Sequence, residues 1–220
     1  MTHFINNLKL AHKFVLLGLI AALMLALPSV MMVRDRLGTV RTAGVELSGV
    51  APLSDALAVI RLTQQHRGLS AAVLAGNAAM DAQRQAKAAE LAQALARLQA
   101  SAANLGEGEL LSTRGRIADE WQALSAAVAA RGLAGPQSFA RHTALIGAEL
   151  GLLEDLSQVS GLVFESDPAT CFLQTAVLVN LPRITEDLGQ MRARGSALLS
   201  KGEASAEDKA RFDSLAQVLH

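Results

Sequence analysis

Tyrosine is absent from this 220-residue chain, tryptophan occurs once, and aromatic residues make up only 3% of it. The hydrophobic share is nevertheless 51%, carried mainly by Leu and Ala, which suit packed helices rather than strands. No strand-like alternation or hairpin turn appears anywhere. A single cysteine, Cys171, excludes an intrachain disulfide and gives no sign of redox compartment. Lys+Arg and Asp+Glu each total 20, so the chain has neither the basic field that holds nucleic acid nor an acidic tail.

What is present starts near the N-terminus. Between Lys13 and Arg34 the run FVLLGLIAALMLALPSVMMV, residues 14–33, carries no charged side chain. As a helix rising about 1.5 Å per residue it extends about 30 Å, the thickness of a bilayer's hydrocarbon core. Its Leu, Ile, Val and Phe residues each favour insertion by roughly 0.3–0.6 kcal/mol, and membrane helices tolerate Gly18, Pro28 and Ser29. A signal peptide would have a shorter apolar run and a small-x-small cleavage site, and LALPSVMMV offers none that is clean. We therefore read 1–13 as a stub, 14–33 as a transmembrane helix, and 34–220 as the domain it anchors. Lys9 and Lys13 on one flank nearly balance Arg34, Arg36 and Arg41 on the other, so charge leaves the orientation open.

The anchored part reads as an all-α antiparallel helical bundle. Leu37, Val40, Gly44, Leu47 and Ala51 form a seam in a first helix over 34–50, with Gly44 able to admit a neighbouring backbone. Pro52 predicts a break or kink near SGVAP. Further helices are expected at 53–75, closed by Gly76-Asn77, and at 79–103, 109–130 and 137–165. A sixth opens at Asp167-Pro168 and runs to about 199 with a bend at Pro182, and a last one starts near 205 and is still running at His220.

Little argues for an enzyme. The five histidines show no i,i+4 pairing, no glycine-rich phosphate loop follows a strand, and Cys171 has no nearby base, so no catalytic residue, metal or cofactor is assigned. Paired carboxylates such as Glu154/Asp155 and Glu186/Asp187 read as solvated faces or cap charges. The anomaly is LTQQHRGLSAAVL, 62–74. There the stripe Leu53, Leu57, Ile60, Gln64, Arg67, Ala71, Leu74 is interrupted by an amide and a guanidinium. The parallel stripe Leu62, His66, Leu69, Val73 is interrupted by a histidine. A buried arginine needs an anionic partner or a wet pocket. Arg67 thus either pairs with a bundle carboxylate such as Glu154, Asp155 or Glu165, snorkels to the surface, or grips a small anionic ligand through its planar fork. Residues 68–82 and 194–208 share a faint repeat, which would make Arg194, or Arg192 given the uncertain offset, a second donor.

NNLKLAHKFVLLG with its anchor, LTQQHRGLSAAVLAGN and ESDPATCFLQTAVLVNLPRITEDLGQMRARG together resemble the sensory half of bacterial methyl-accepting chemotaxis proteins. Similar regions occur in sensor histidine kinases and diguanylate cyclases. The resemblance implies an inner-membrane receptor with 1–13 cytoplasmic, 34–220 periplasmic and incomplete at its C-terminus, a homodimer, and a cytoplasmic signalling module beyond His220. A stand-alone membrane-anchored interaction protein is the rival expectation. QQHRGLS further resembles the Arg-Gly signature of nitrate- and nitrite-sensing helical domains, whose arginines grip the ligand. On that likeness the ligand residues are Arg67, with Gln64 and His66 beside it, and, by approximate match, Arg194. Relatives often carry a tyrosine pair where this chain has Cys171-Phe172, so the ligand's identity is not carried over.

Overall fold

The computed structural model describes residues 9–105, 108–164 and 167–201, with isolated positions beyond. Among these residues there is no strand. The elements are α1 (Leu10–Leu74), a 3-10 turn (Ala78–Met80), α2 (Asp81–Ser101), α3 (Glu109–Ala129) and α4 (Gly135–Val159). A 3-10 turn (Leu162–Phe164), α5 (Pro168–Thr175), a π-helical stretch (Ala176–Asn180) and α6 (Leu181–Lys201) complete them. The expected last helix, from 205, falls almost wholly outside the described residues, as do 202–205 and 207–208 of the second copy of the faint repeat.

Contacts divide the chain into two units, Met1–Val45 and Glu46–His220. The first contains the apolar run, part of a helix long and apolar enough to cross a membrane, with none of that window buried. Leu16, Leu19, Ile20 and Leu23 are all exposed. Such a surface is at ease in lipid and costly in water.

The second unit is a helical bundle. Its core is built from repeats of three and four residues: Leu53, Ala56 and Ile60 on α1, Leu91, Ala94 and Leu98 on α2, Ile117, Trp121, Leu124 and Val128 on α3, Ile146, Leu153 and Leu156 on α4. This spacing keeps one face of each helix against the others. The stops are those the sequence announces. Gly76 takes φ 100°, a conformation that costs a residue with a Cβ more than glycine. The Asn77 amide then donates to the Ala72 carbonyl and the Gly76 amide to that of Val73, both at 3.0 Å, closing α1 in a Schellman motif. Asp167 caps α5, accepting from the Thr170 amide at 2.9 Å, with Pro168 in the first turn.

Two expectations at prolines are corrected. No break occurs at Pro52: α1 runs through it. Pro52 is fully buried, and packing of its ring offsets the amide bond it cannot donate. Near Pro182, the irregularity precedes the proline as the π stretch, where the Leu181 amide reaches back to the Ala176 carbonyl. That wider turn makes room for a ring that would otherwise meet the preceding carbonyl.

A close backbone approach occurs at Gly49, whereas Gly44 faces open space in the single chain. A Cβ built on Gly49 would lie 2.2 Å from the Ser160 Cβ. Gly49→Ala is therefore expected to lower the unfolding free energy by about 1–3 kcal/mol through overpacking. Urea unfolding of the chain in detergent micelles, followed by Trp121 fluorescence, checks this; an unchanged midpoint would contradict the contact.

Candidate functional site

The face of α1 singled out by the sequence turns inward. Arg67 is 4% exposed and its guanidinium grips Glu186 of α6 through both terminal nitrogens. Nη1 lies 2.6 Å from Oε1 and Nη2 3.0 Å from Oε2. Nη1 also donates to Thr143 Oγ1 at 2.9 Å, and the guanidinium carbon stands 4.9 Å from the centroid of the Phe139 ring. Two amides complete the carboxylate's shell: Gln64 Nε2 donates to Oε2 at 3.1 Å and Gln190 Nε2 to Oε1 at 2.9 Å. Removing two charges from water costs several kcal/mol each, and the bidentate fork together with two donors on each carboxylate oxygen offsets much of it.

The partner differs from those the sequence suggested. Glu154 pairs instead with Arg183 near the surface, Asp155 has no ion pair with Arg67, and Glu165 lies outside the described residues. Glu186, read from sequence as a solvated carboxylate, is 5% exposed. Its four-residue spacing from buried Pro182 and from Gln190 was the available signal that this face of α6 points inward.

Beside this pair opens a cleft of about 870 Å³ whose walls come from α1, α2, α4 and α6. Its polar lining includes Arg61, Gln64, Arg67, Lys87 and Arg192, and no carboxylate is among its lining residues. Small residues, among them Gly68, Ala71 and Gly189, leave the space open. A Cβ on Gly189 would stand 3.1 Å from Arg67 Nη2. Of the residues proposed from sequence, Gln64 and Arg67 thus come together at one cleft. Arg194 is half-buried and does not line it, while Arg192, exposed, does. His66 lies elsewhere, in the core. Lys87 and Arg61 were not singled out by the sequence analysis; Lys87 also pairs with Glu90 at 2.7 Å.

A family model described as nitrate and nitrite sensing matches residues 58–219, most of the chain and every residue of this cleft. The chain belongs to that family. Among solved structures it is similar to one titled "Structure of the NasR transcription antiterminator", with a TM-score of 0.69 at 19% identity. The match covers 87% of this chain and 52% of that one, so the chain spans about half the length of its structural relative. That likeness concerns the fold. No curated protein matches the chain.

Behind the cleft, the nitrate- and nitrite-sensing fold holds a second polar layer. His142 Nδ1 stands 2.7 Å from the Ser138 carbonyl, which can only accept. The ring must donate there, leaving Nε2 to accept from His66 Nδ1 at 2.9 Å. This is the pairing of two neutral rings, the form that burial favours. His66 then packs edge-on against Trp121, centroids 4.8 Å apart. Burial holds the His66 pKa down at about 3 and that of His142 at about 4, the neighbouring cations Arg84 and Arg67 respectively adding to the effect. Glu149 is shifted the other way, to about 8, by burial, and Glu186 adds to the rise. Thr63 Oγ1 lies 2.8 Å from Glu149 Oε1 and 3.0 Å from the Val59 carbonyl. One hydroxyl proton cannot serve both, which suits a protonated carboxyl donating to Thr63.

These shifts oppose one another. Each histidine binds its proton more readily in the unfolded chain, so its contribution is present above about pH 6.5 and is lost as pH falls towards 4. Glu149 contributes below its ordinary 4.5 and loses that contribution as pH rises through 8. Stability is expected to peak near pH 6.5 and to fall on the alkaline side by about 1.4 kcal/mol per pH unit. Glu149→Gln should abolish the alkaline limb and steepen the acid one, read from Trp121 fluorescence in urea across a buffer series. An alkaline limb that survives the substitution would refute the assignment.

Proposed function

We infer that the chain is the ligand-sensing region of a membrane-anchored chemoreceptor, and that its ligand is nitrate or nitrite held in the cationic cleft. The observation that carries this is the lining itself. Arg61, Arg67, Lys87 and Arg192 converge on one cavity with no carboxylate among them, in a chain whose net charge is zero. Although Arg67 and Lys87 have carboxylate partners outside the lining, a wall that presents cations and no carboxylate raises the local concentration of anions and repays part of the anion's desolvation. Family membership supports a small planar oxyanion as the occupant.

The remaining parts follow the resemblance to chemotaxis transducers. Residues 14–33 cross the inner membrane, 34–220 lie in the periplasm, two chains associate, and the output module follows His220. Binding shifts α6 against α1 by about 1–2 Å, and α1, which carries both Arg67 and the apolar run, conveys the shift to the lipid. No chemical step is needed, and none is assigned.

Isothermal titration of the full chain in lipid nanodiscs tests the ligand assignment. Nitrate and nitrite are expected to bind and sulfate to bind more weakly. Arg192→Ala, an exposed substitution on the cleft wall, should weaken nitrate binding about ten-fold, the loss of one charge-assisted contact, with an unchanged melting temperature. Equal affinity in wild type and Arg192→Ala would remove this residue from the site, and no heat with either anion would remove the function.

A further inference from the structure

The Glu186 carboxylate is held as a bound oxyanion would be. Both oxygens meet the Arg67 fork, at 2.6 and 3.0 Å, and each takes one further amide donor, from Gln190 and Gln64. The O–C–O edge of a carboxylate and the O–N–O edge of nitrate or nitrite are both planar, singly charged forks, and a guanidinium binds either through the same pair of N–H groups. The strongest anion-binding group on the cleft wall is therefore already occupied by the protein itself.

We propose that Glu186 is a tethered competitor for the oxyanion: the ligand takes Arg67 only by displacing this carboxylate, and its release is what frees α6 to move. The proposal rests on reading the cleft as an oxyanion site.

Four features fit this exchange. Arg67 and Gln64 line the cleft while Glu186 does not, so both donors are within reach of an anion in the cleft. The groups that steady Arg67, Thr143 at 2.9 Å and Phe139 beneath its plane, belong to α4 and stay behind when Glu186 leaves. The donors also divide cleanly: Gln64 sits on α1 with Arg67 and remains for the ligand, whereas Gln190 sits on α6 and departs with Glu186. The π stretch Ala176–Asn180 immediately before α6 supplies a place where that helix can change register, a common role of such turns.

A carboxylate fixed beside its receptor acts at a high effective concentration and raises the ligand's apparent dissociation constant. Titrating the full chain in nanodiscs with nitrate and with nitrite, as wild type, Glu186→Gln and Gln190→Ala, separates the outcomes. Glu186→Gln keeps the shape and removes the charge, and should tighten binding about ten-fold or more. It should also melt earlier than wild type without anion and recover on adding nitrate. Gln190→Ala, which strips one donor from Glu186 and leaves the ion pair, should tighten binding by a factor of about three, and it carries the test if Glu186→Gln does not fold. Wild-type binding with unchanged or weaker affinity in the folded variants would overturn the competition while leaving the oxyanion site standing. Absence of binding in wild type and variants alike would overturn the oxyanion reading and this proposal with it.

Discussion

One guanidinium must keep an anion beside it. Arg67 is 4% exposed near the C-terminal end of α1, where an unpaired positive charge would cost several kcal/mol. Around that requirement the second unit is arranged. Glu186 comes from α6, far along the chain, Thr143 and Phe139 come from α4, and Gln64 and Gln190 complete the carboxylate's shell. The bundle's apolar core would bring these helices together in any case. The ion pair decides which faces of α1 and α6 meet, because only one rotation of each helix satisfies both charges. A buried pair of this kind adds little net stability over an apolar pair of the same volume, which is compatible with a role in which one member is exchanged.

The neutral layer beside it works in the opposite sense. His66, His142 and Glu149 are buried too, but they shed their charges instead of pairing them, the histidines by losing protons and Glu149 by keeping one. With those groups uncharged, Glu186 is the anion facing Arg67. His66 also packs edge-on against Trp121, the chain's sole tryptophan.

Much of this was legible in sequence, and the rest was hidden for definable reasons. The Ala-, Gln- and Leu-rich α2, the stop at Gly76 and the start at Asp167-Pro168 are local matters, decided by propensity and capping. Arg67 and His66 stood out because they interrupt apolar stripes. Pro52 misled because its ring is buried where sequence sees only a missing amide, and tertiary packing overrode the local preference. Glu186 was missed because its partner lies 119 residues away; beside Asp187 in an amphipathic run, a buried carboxylate and a solvated one look alike. Lys87 and Arg61 reach the cleft only because α2 folds back along α1, which no spacing within either helix reveals.

The similarity to an antiterminator structure at 19% identity concerns the fold alone. Fold and function separate at that distance, so the ligand reading has to come from side chains. Here it does: a fork already filled by a planar monoanion, cations on the open side of it, and no carboxylate lining the cleft. The same geometry bears on selectivity. An anion that replaces Glu186 must present two coplanar oxygens to Arg67 and accept a third contact from Gln64, which favours trigonal or bent anions over tetrahedral ones. It must also carry one charge, since one negative charge leaves the pair and one must return. A dianion would restore the fork but leave a surplus charge beside Glu149, whose carboxyl burial already holds protonated. Discrimination by shape and by charge therefore follows from a single exchange at Arg67.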